Sequence, residues 1–544
     1  MKIKFLTLVF FCFQADAFFS QSLNIEWQKC LGGTFQTDST QLNDSLNYYF
    51  SGTDVIQKIR KTTDNGYIVV GTTGSNNYNV NGNHGLNDIW VVKLNNSGAV
   101  EWQKCFGGSF NDYGSDIQQT SDGGYIVCGW TNSNDGDAVG LHGPPNYDNY
   151  NDFFILKISS SGSIEWKKCL GGNRDEKAFS VTKSIDGGFI ISGYTNTNNN
   201  GDVSGYNPNN EYINQIDAWV VKLNSSGNFV WKKCFGDSNQ DDFTNVKELN
   251  DGSLLFAGTT SSYQLNGNHG EKDFWLVKTD ANGVIQWQKL YGGSSRDIFK
   301  SVEITNDQGF ILTGETFSYN GDVLNTFNVT SSESDTWVLR LDANGNIIWQ
   351  KCFGGTLNES GNDIIQTSDG GFAITGNTTS FNGNVAYNYG SDDFWLLKIN
   401  SMGFLMWQKS LGGSNYDVSN SLVATVDGGY VLAGYIESND YNSTITGALG
   451  NGDGWVVKLG PYNNLIESES FNFSFSPNPT KDLITLKSDK ILNKQIKILD
   501  QFGRIMLESK IESTETQIDL GQFSSGIYFL QVEGIFQPAR IVKE

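Results

Sequence analysis

Hydrophobic residues recur along this chain in short runs, and each run ends in Gly, Asn, Asp or Ser. The stretch Asp88–Thr131 shows the pattern whole: DIWVVKL, a tight NNSG connection, VEWQKCFGG, the loop NDYGS, and DIQQTSDGGYIVCGWT. Runs rich in Val, Ile, Phe, Tyr and Trp that are bounded by turn residues predict β-strands. No segment long enough for a helix, about ten residues, carries a helical period. The pattern therefore predicts an all-β protein.

The runs form a repeat of about sixty residues, and a fixed period of this kind indicates a repeat architecture. Three features of the repeat each occur seven times. A Trp followed two residues later by Lys occurs at Trp27, Trp102, Trp166, Trp231, Trp287, Trp349 and Trp407. A DGG-type turn begins at Asp64, Asp122, Asp186, Asp251, Asp307, Asp369 and Asp427. A second aromatic position holds Trp90, Phe154, Trp219, Trp275, Trp337, Trp395 and Trp455.

Each repeat contains four predicted strands, named a (Asp116–Thr120), b (Gly124–Thr131), c (the Asp-x-Trp run) and d (the Trp-x-Lys run). Tight turns join a to b and c to d, because Asp, Asn and Gly supply the left-handed conformations of short hairpin loops. A four-stranded sheet this small cannot bury both faces alone, and radial stacking of such sheets gives a β-propeller. Of the 14 Trp residues only Trp130 lies outside the two repeat positions, so we interpret the Trp residues as packing between sheets.

The two ends of the repeat region complement each other. The chain enters it with a lone strand d, Asn24–Leu31, and leaves it after a strand c, Gly454–Leu459. Pairing these strands would remove exposed edges that invite aggregation. The sequence therefore predicts a seven-bladed β-propeller closed by the N-terminal strand, followed by a small C-terminal β-sandwich.

The hairpin between c and d, as in KLNNSGAVEW (Lys93–Trp102), resembles the repeat of pyrroloquinoline-quinone-type propellers, in which an Asp/Asn-x-x-Gly-x-x-x-Trp run recurs. The resemblance covers about ten residues of each repeat. Such propellers include both enzymes and scaffolds, so it implies an architecture and not an activity.

The net charge of the chain disfavours some classes of partner, and its length and composition predict several domains. The 544 residues carry a net charge of −22, which repels nucleic acid and anionic membranes and favours cations, neutral glycans or basic partners. Residues 1–20 are typical of a signal peptide, with Lys2 and Lys4 before a short apolar run and Ala15-Asp16-Ala17 for cleavage. We expect the propeller at 21–460, a linker at 461–472 and a tail at 473–544. No segment is apolar for long enough to span a bilayer.

The cysteines do not form the spacing of a disulfide framework. Cys30, Cys105, Cys169, Cys234 and Cys352 occupy one repeat position, and equivalent positions on different blades lie beyond disulfide reach. Cys128 occurs where other repeats have small residues. We interpret all six as packed free thiols, although the setting is extracellular.

Antiparallel order places the b–c and d–a loops on one side of the disc. The long and variable b–c loops, such as 132–151, 195–216 and 318–334, lie there with the insertion at 34–52. Binding sites favour variable loops on a rigid scaffold, so this side is the candidate functional face.

Two sets of acids are predicted to lie on that face. The first set precedes strand c: Asp88, Asp152, Asp217, Asp273, Asp335, Asp393 and Asp453. The second set lies in d–a loops: Asp112, Glu176, Asp241, Asp297, Glu359 and Asp417. One interpretation is that each carboxylate caps a local turn through backbone N–H groups. The other is a set of oxygen-rich metal sites for calcium, with Asp88, Asp152, Asp217, Asp273, Asp335, Asp393, Asp453, Asp112, Asp297 and Asp417 as the ligands.

No catalytic constellation or organic-cofactor motif can be recognised. His84, His142 and His269 each precede Gly in different b–c loops, where turn residues are the simpler interpretation. No Ser-His-Asp or Cys-His pairing, phosphate-binding Gly loop or Cys-x-x-Cys is found. Acids are too common in this chain to single out a glycosidase pair.

The tail differs in composition, with more Lys and Ile and no Trp after residue 473. It resembles the type A C-terminal sorting domain of the Bacteroidetes type IX secretion system. The matching motifs are Ser-Pro-Asn-Pro-x-x-Asp (Ser476–Asp482), Asp-x-x-Gly-Arg (Asp500–Arg504), Leu-x-x-x-x-Ser-Gly-Ile-Tyr (Leu520–Tyr528) and a basic end. The resemblance implies passage across the outer membrane by that machinery, and then release or attachment to surface lipopolysaccharide.

The sequence thus predicts an exported, surface-displayed propeller that binds glycans or proteins without catalysis. Seven similar shallow sites favour multivalent capture. Two alternatives remain open. One is a polysaccharide lyase or hydrolase with an unrepeated cluster in the loops 135–152 and 202–217. The other is a structural component of the cell surface.

Overall fold

The computed structural model describes most of the 544-residue chain. The described residues are 23–34, 53–147, 150–206, 215–237, 239–328, 332–440, 443–449, 452–461, 473–488, 492–500, 505–532 and 539–544. The predicted signal peptide, most of the insertion at 34–52 and the linker after Pro461 lie outside them.

Antiparallel sheets of four strands repeat along the described chain. After β1 (Ile25–Leu31), the first sheet contains β2 to β5 at Asp54–Lys61, Tyr67–Thr73, Asp88–Leu94 and Val100–Phe106. The second contains β6 to β9 at Asp112–Gln119, Tyr125–Thr131, Asp152–Ile158 and Ile164–Leu170. The third contains β10 to β13 at Glu176–Lys183, Phe189–Thr195, Asp217–Leu223 and Phe229–Phe235.

The fourth to sixth sheets repeat this order. The fourth contains β14 to β17 at Asn245–Glu248, Leu254–Thr260, Asp273–Thr279 and Ile285–Tyr291. The fifth contains β18 to β21 at Asp297–Ile304, Phe310–Thr316, Asp335–Leu341 and Ile347–Phe353. The sixth contains β22 to β25 at Glu359–Gln366, Phe372–Thr378, Asp393–Ile399 and Leu405–Leu411.

The seventh sheet joins the two ends of the repeat region. It contains β26 (Asp417–Ala424), β27 (Tyr430–Ile436) and β28 (Asp453–Leu459), and its fourth strand is β1. β1 runs antiparallel to β28, from Ile25 opposite Leu459 to Leu31 opposite Gly454. The lone first strand therefore completes the last sheet.

The first strands of neighbouring sheets contact one another. β2 contacts β6, β6 contacts β10, and the series continues through β14, β18, β22 and β26, which contacts β2 again. The predicted all-β class with repeated four-stranded sheets in a propeller-like arrangement is confirmed.

The repeated aromatic residues of the third strands, which we call the aromatic ladder, pack between sheets as predicted. Trp219 of the third sheet lies 4.6 Å from Phe153 of the second, measured between ring centroids, and it is fully buried. Trp337 lies 4.8 Å from Phe274 of the preceding sheet in the same manner. Rings of this size bury about 150–250 Å² each, so the strand-c aromatics form much of the interface between sheets.

In six of the seven sheets the first strand begins earlier than the sequence predicts, the exception being β14. β6 starts at Asp112, four residues before the predicted Asp116, and a β-bulge between Gly114 and Asp116 interrupts its register with β7. The bulge brings the Tyr113 carbonyl so close to Gly129 that a Cβ there would lie 1.8 Å from the oxygen. The second-set acids are therefore first residues of strands in most sheets, and not loop residues.

The tail contains two smaller sheets with a hydrophobic core of their own. One sheet contains β29 (Ser474–Ser476), β30 (Leu483–Lys487) and β33 (Glu515–Asp519). The other has the order β32 (Ile505–Lys510), β31 (Gln495–Asp500), β34 (Gly526–Val532) and β35 (Ala539–Lys543). Most of the Asp-x-x-Gly-Arg motif lies outside the described residues.

The six cysteines of the repeat region are free thiols, as predicted. Cys30, Cys105 and Cys128 are buried, and burial raises the pKa of the Cys30 thiol to about 12. Within the described ranges, no helix is long and apolar enough to cross a membrane.

Candidate functional site

One side of the repeat region gathers the connections between second and third strands. We call this side the loop face, and define it by residues 74–87, 132–147, 196–206, 261–272, 317–328, 379–392, 437–440 and 443–449. The Gly-Gly connections between sheets lie on the same side, because the strands within each sheet are antiparallel.

The first-set acids are the first residues of the third strands, and they anchor the loops. All seven are at most 1% exposed. Asp88 Oδ2 accepts hydrogen bonds from the His84 backbone N–H (3.1 Å) and ring Nδ1 (2.6 Å). Asp335 Oδ2 accepts one from the Phe327 N–H at 2.8 Å. Each bond supports the interpretation that these carboxylates cap turns.

The second-set acids hold the Gly-Gly connections. Asp112 Oδ2 accepts hydrogen bonds from the Gly108 N–H (2.8 Å) and the Ser133 hydroxyl (3.0 Å). Asp54 is the equivalent residue of the first sheet, accepting from the Gly33 N–H at 2.8 Å. The sequence analysis missed Asp54, because the insertion at 34–52 hides its spacing from the preceding Gly-Gly. The signal was an Asp one residue before the aliphatic pair Val55-Ile56.

The structure brings the two sets together in pairs around the first glycine of each Gly-Gly. A Cβ placed on Gly107 would lie 2.4 Å from Asp112 Oδ2 and 2.7 Å from Asp88 Oδ1. The same geometry recurs at five other glycines, so six carboxylate pairs are defined: Asp54 with Asp453, Asp88 with Asp112, Asp152 with Glu176, Asp273 with Asp297, Asp335 with Glu359, and Asp393 with Asp417. At Gly236 the nearest carboxylate is Asp241, and Asp217 is not among the nearest groups.

Each pair places a buried carboxylate oxygen beside a second carboxylate. Oδ1 of Asp88, Asp152, Asp273, Asp335 and Asp393 is buried, with no hydrogen-bond partner among the described residues. Burial, followed by the neighbouring acid, raises the pKa of Asp335 to about 7. Burial also raises the pKa of Asp88 to about 6 and that of Asp112 to about 7. Such a pair is suited to share a proton or a cation.

The metal prediction for these acids stays a prediction. In the part of the chain that the structure describes, no three His, Cys, Asp or Glu side chains converge as metal ligands. The carboxylates come together two at a time, whereas calcium takes six to eight oxygens from carboxylates, carbonyls and water.

Two of the three histidines, His142 and His269, link the loops of neighbouring sheets, whereas His84 contacts Asp88 of its own sheet. His142 Nδ1 lies 2.6 Å from Asp152, and its Nε2 lies 3.7 Å from Asp202 in the next sheet's loop. His269 is placed in the same way between Asp273 and Asp322. Hydrogen bonding to Asp152 raises the pKa of His142, so its charged form is favoured.

Exposed aromatic residues form a row on the loop face. Tyr263, Tyr319 and Phe381 follow the Ser at the start of the loops in the fourth, fifth and sixth sheets, which are neighbours. They are 68%, 50% and 63% exposed. The other four sheets carry Asn at the same place: Asn76, Asn134, Asn198 and Asn439. The sequence analysis missed this row, whose signal was the repeated Ser-Tyr or Ser-Phe after strand b.

Comparison with known proteins identifies the tail. The family described as a secretion system C-terminal sorting domain matches residues 474–538. An uncharacterized WD repeat-containing protein of Acanthamoeba polyphaga mimivirus is 22% identical over 393 residues, which are 57% of this chain and 27% of that protein. The chain thus matches about a quarter of the length of this curated relative.

Two solved structures are among those that the chain matches. The WD40 β-propeller domain of Doa1 has a TM-score of 0.40 and 9% identity, over 77% of this chain and 95% of that one. PorZ, a surface component of the type IX secretion system of Porphyromonas gingivalis, has a TM-score of 0.18 and 11% identity, over 95% and 100%. The type IX sorting domain predicted from the tail motifs is confirmed. It directs export across the outer membrane to the cell surface or the extracellular space.

Proposed function

Because the sorting domain delivers the chain beyond the outer membrane, we propose that the repeat region is a non-catalytic adhesion module that captures extracellular glycans. The observation that carries the proposal is the row of exposed rings at Tyr263, Tyr319 and Phe381. Exposed apolar groups rimmed by polar residues mark interaction surfaces, and aromatic faces pack against the C–H groups of sugars.

The polar surroundings of the row favour a glycan over an apolar protein surface. Asn320 and Asn382 directly follow Tyr319 and Phe381, and their amides bond Ser294 (2.9 Å) and Thr356 (3.0 Å) in the Gly-Gly connections. The rings therefore stand beside amides and hydroxyls held in fixed positions. Three rings on adjacent sheets also suit a polymer, because linked weak contacts give avidity.

The architecture within this proposal is a seven-bladed propeller closed by β1. The pairing of β1 with β28 and the circular order of first-strand contacts support it. The domains are a signal peptide at 1–20, the propeller at 21–460, a linker at 461–472 and the sorting domain at 473–544. Seven blades place the b–c loops around one rim, where several can contact one polymer.

Calcium binding at the carboxylate pairs forms part of the same proposal. The unpartnered Oδ1 atoms of Asp88, Asp152, Asp273, Asp335 and Asp393 support it, because a buried carboxylate oxygen requires a compensating charge or donor. Each pair supplies two carboxylates, and water supplies the remaining oxygens. A bound ion would hold the loop of one sheet against the next Gly-Gly connection.

The aromatic row gives a direct test of glycan capture. We expect replacement of Tyr263, Tyr319 or Phe381 by Ala to weaken binding to a hit on a glycan array about 2–10-fold each, because one aromatic contact contributes about 0.5–1.5 kcal/mol. The triple variant should lose detectable binding. The exported protein is used throughout, and each array is run in calcium and in chelator.

The matched control is the triple variant Asn134→Ala, Asn198→Ala and Asn439→Ala, which changes the same loop position on the other sheets. It should bind as the unaltered protein does. Unchanged binding by the aromatic triple variant would remove the row from the function. An array without a hit would favour a protein partner, and complete loss from one single variant would favour an enzyme with one site.

A further inference from the structure

The first strands of all seven sheets surround a cavity of about 400 Å³, which we call the axial cavity. Its lining comes from the inward positions of β2, β6, β10, β14, β18, β22 and β26, together with Trp130 of β7. Small-molecule sites are typically cavities of about 300–1,000 Å³ that combine aromatic walls with a few polar groups.

The lining breaks the sevenfold repetition seen elsewhere in the chain. One inward position of the first strands is not repeated in every sheet: it holds Ser180, Ser301 and Ser421 in three sheets, and Lys58, Asp116, Asn245 and Asp363 in the other four. The loop-face acids, by contrast, are repeated in every sheet. Blade packing alone explains a repeated residue, whereas an unrepeated set of polar residues around one space is expected of a single site.

The charges in the cavity are paired with one another. Lys58 lies 3.0 Å from Asp363, and Arg60 lies 3.0 Å from Asp116. Asp363 also accepts hydrogen bonds from the hydroxyls of Ser301 and Ser421, both at 2.8 Å. The Lys58 contact joins the first and sixth sheets, and the other three contacts join consecutive sheets, so together they fix the shape of the cavity.

Two further ion pairs involve lysines of the cavity lining. Lys247 lies 2.7 Å from Glu303, and Lys300 lies 3.2 Å from Glu315. Four cations and three acids therefore line the cavity, and Glu315, the partner of Lys300, lies outside the lining. Because each cation of the lining is already paired with an acid, the cavity offers donors and acceptors to a neutral polar ligand.

An aromatic wall completes the site. Trp130, the one Trp outside the two repeat positions, stacks on Tyr113 at 5.2 Å and meets Phe179 edge-on at 5.9 Å, measured between ring centroids. Lys177 Nζ lies 5.4 Å from the centre of the Trp130 ring. These neighbours hold the indole in one orientation at the cavity wall, and a fixed ring is a low-entropy contact for a ligand.

We propose that the axial cavity binds one neutral polyhydroxylated molecule, a single sugar unit. The C–H face of the sugar packs on Trp130, and its hydroxyls bond the amides of Asn362 and Asn420 and the ammonium of Lys58. This site shares no residue with the aromatic row. It occurs once in each chain and does not require the loop face.

The test is direct binding to the full exported protein by saturation-transfer NMR and calorimetry. The neutral probes are glucose, galactose, mannose and N-acetylglucosamine, and the charged comparison probes are glucuronate and inorganic phosphate. We expect at least one neutral sugar to bind with a single-site isotherm. Trp130→Leu should weaken that binding about 2–10-fold, because it removes the aromatic wall.

Tyr435→Leu is the matched control, because Tyr435 occupies the same strand position as Trp130 but does not line the cavity. It should bind the sugar as the unaltered protein does. Should Trp130→Leu not fold, Phe179→Leu replaces it. The triple variant of the aromatic row should retain the sugar, which separates this proposal from glycan capture by the loop face.

Three results would overturn the proposal. The first is the absence of binding by every neutral sugar to the folded protein. The second is sugar binding that Trp130→Leu and Phe179→Leu leave unchanged, which places the sugar elsewhere. The third is binding of phosphate or glucuronate alone, which would make the cavity an anion site.

Discussion

A chain that lacks residues 23–31 should lose the cooperative fold of the repeat region. These residues supply β1, and without it the seventh sheet has three strands and β28 becomes an exposed edge. Leu23 and Leu31 are buried, and full burial of one such side chain stabilises by about 1.5–3 kcal/mol. Trp27 also packs on Tyr67 of the first sheet, with ring centroids 6.0 Å apart, so its loss loosens two sheets.

Hydrogen bonds tie the same strand to the end of the repeats. Gln28 Oε1 accepts from Trp455 Nε1 at 3.1 Å, and Gln28 Nε2 donates to the Thr444 carbonyl at 3.1 Å. Removing β1 exchanges these bonds for bonds to water at the exposed edge, which costs about 0.5–1.5 kcal/mol for each bond. The combined loss is comparable to the stability of a whole domain, about 5–15 kcal/mol.

Thermal melting followed by circular dichroism and size-exclusion chromatography measures the effect. We expect the truncated protein to aggregate or to melt without a cooperative transition. A peptide of residues 21–32 added in trans should restore the transition, and a scrambled peptide should not. Equal melting temperatures for the truncated and full chains would show that the repeat region does not need β1 to fold cooperatively.

The repeated features could be predicted from sequence because each sheet packs against its neighbours in the same way and therefore needs the same residues. Trp219 and its equivalents recur since every interface between sheets needs a large ring at that place. Turns such as Asp122-Gly123-Gly124 recur because every a–b hairpin needs the same backbone conformations. The repeat of about sixty residues therefore predicts the fold, an all-β class with four-stranded sheets.

Other features could not be predicted, for identifiable physical reasons. The bulge at Gly114 lengthens β6 towards the loop face, and no polar or apolar alternation signals it. The pairing of Asp88 with Asp112 joins a third strand to the next sheet's first strand through a Gly-Gly connection, which is a tertiary contact. Residues such as Lys58 and Asp363 do not recur between repeats, so a search for repeated positions passes over them.

The carboxylate pairs should make the protein less stable as pH rises in the absence of divalent cations. The folded-state pKa of Asp88 is about 6, and those of Asp112, Asp335 and Asp393 are about 7, all above the value of 3.8 for an ordinary Asp. Between about pH 4 and pH 7 the folded protein therefore holds more protons than the unfolded chain. The stability from these protons is full below pH 4 and is lost as pH rises through 7.

Melting curves in chelator should record this loss directly. With six pairs contributing, we expect the melting temperature to fall by an amount on the order of 10 °C from pH 5 to pH 8. Calcium added at pH 8 should reverse most of the fall, because the ion replaces the shared proton between two ionised carboxylates. At pH 5 calcium should have little effect, because the proton already occupies the pair.

One substitution distinguishes stabilisation of a carboxylate pair by a shared proton from stabilisation by a bound cation. Asp335→Asn keeps an oxygen that accepts the hydrogen bond from the Phe327 N–H. Its amide NH2 group faces Glu359 and replaces the proton that the two carboxyl groups would share. It should raise the melting temperature at pH 8 in chelator, leave it unchanged at pH 5, and reduce the effect of calcium. The exposed Glu271→Gln is the matched control and should change none of these values.

The results distinguish three roles for the pairs. A melting temperature that stays constant from pH 5 to pH 8 in chelator would mean that hydrogen bonds from the loops already stabilise two ionised carboxylates. A fall that calcium does not reverse would leave the proton as the only occupant of the pair and remove the metal sites from the proposed function. A fall that calcium reverses would make loop order depend on the ion, because Asp335 anchors its loop through the Phe327 N–H and meets Glu359 at the next Gly-Gly connection. In that case the aromatic row would be held in place for glycan capture only where calcium is present.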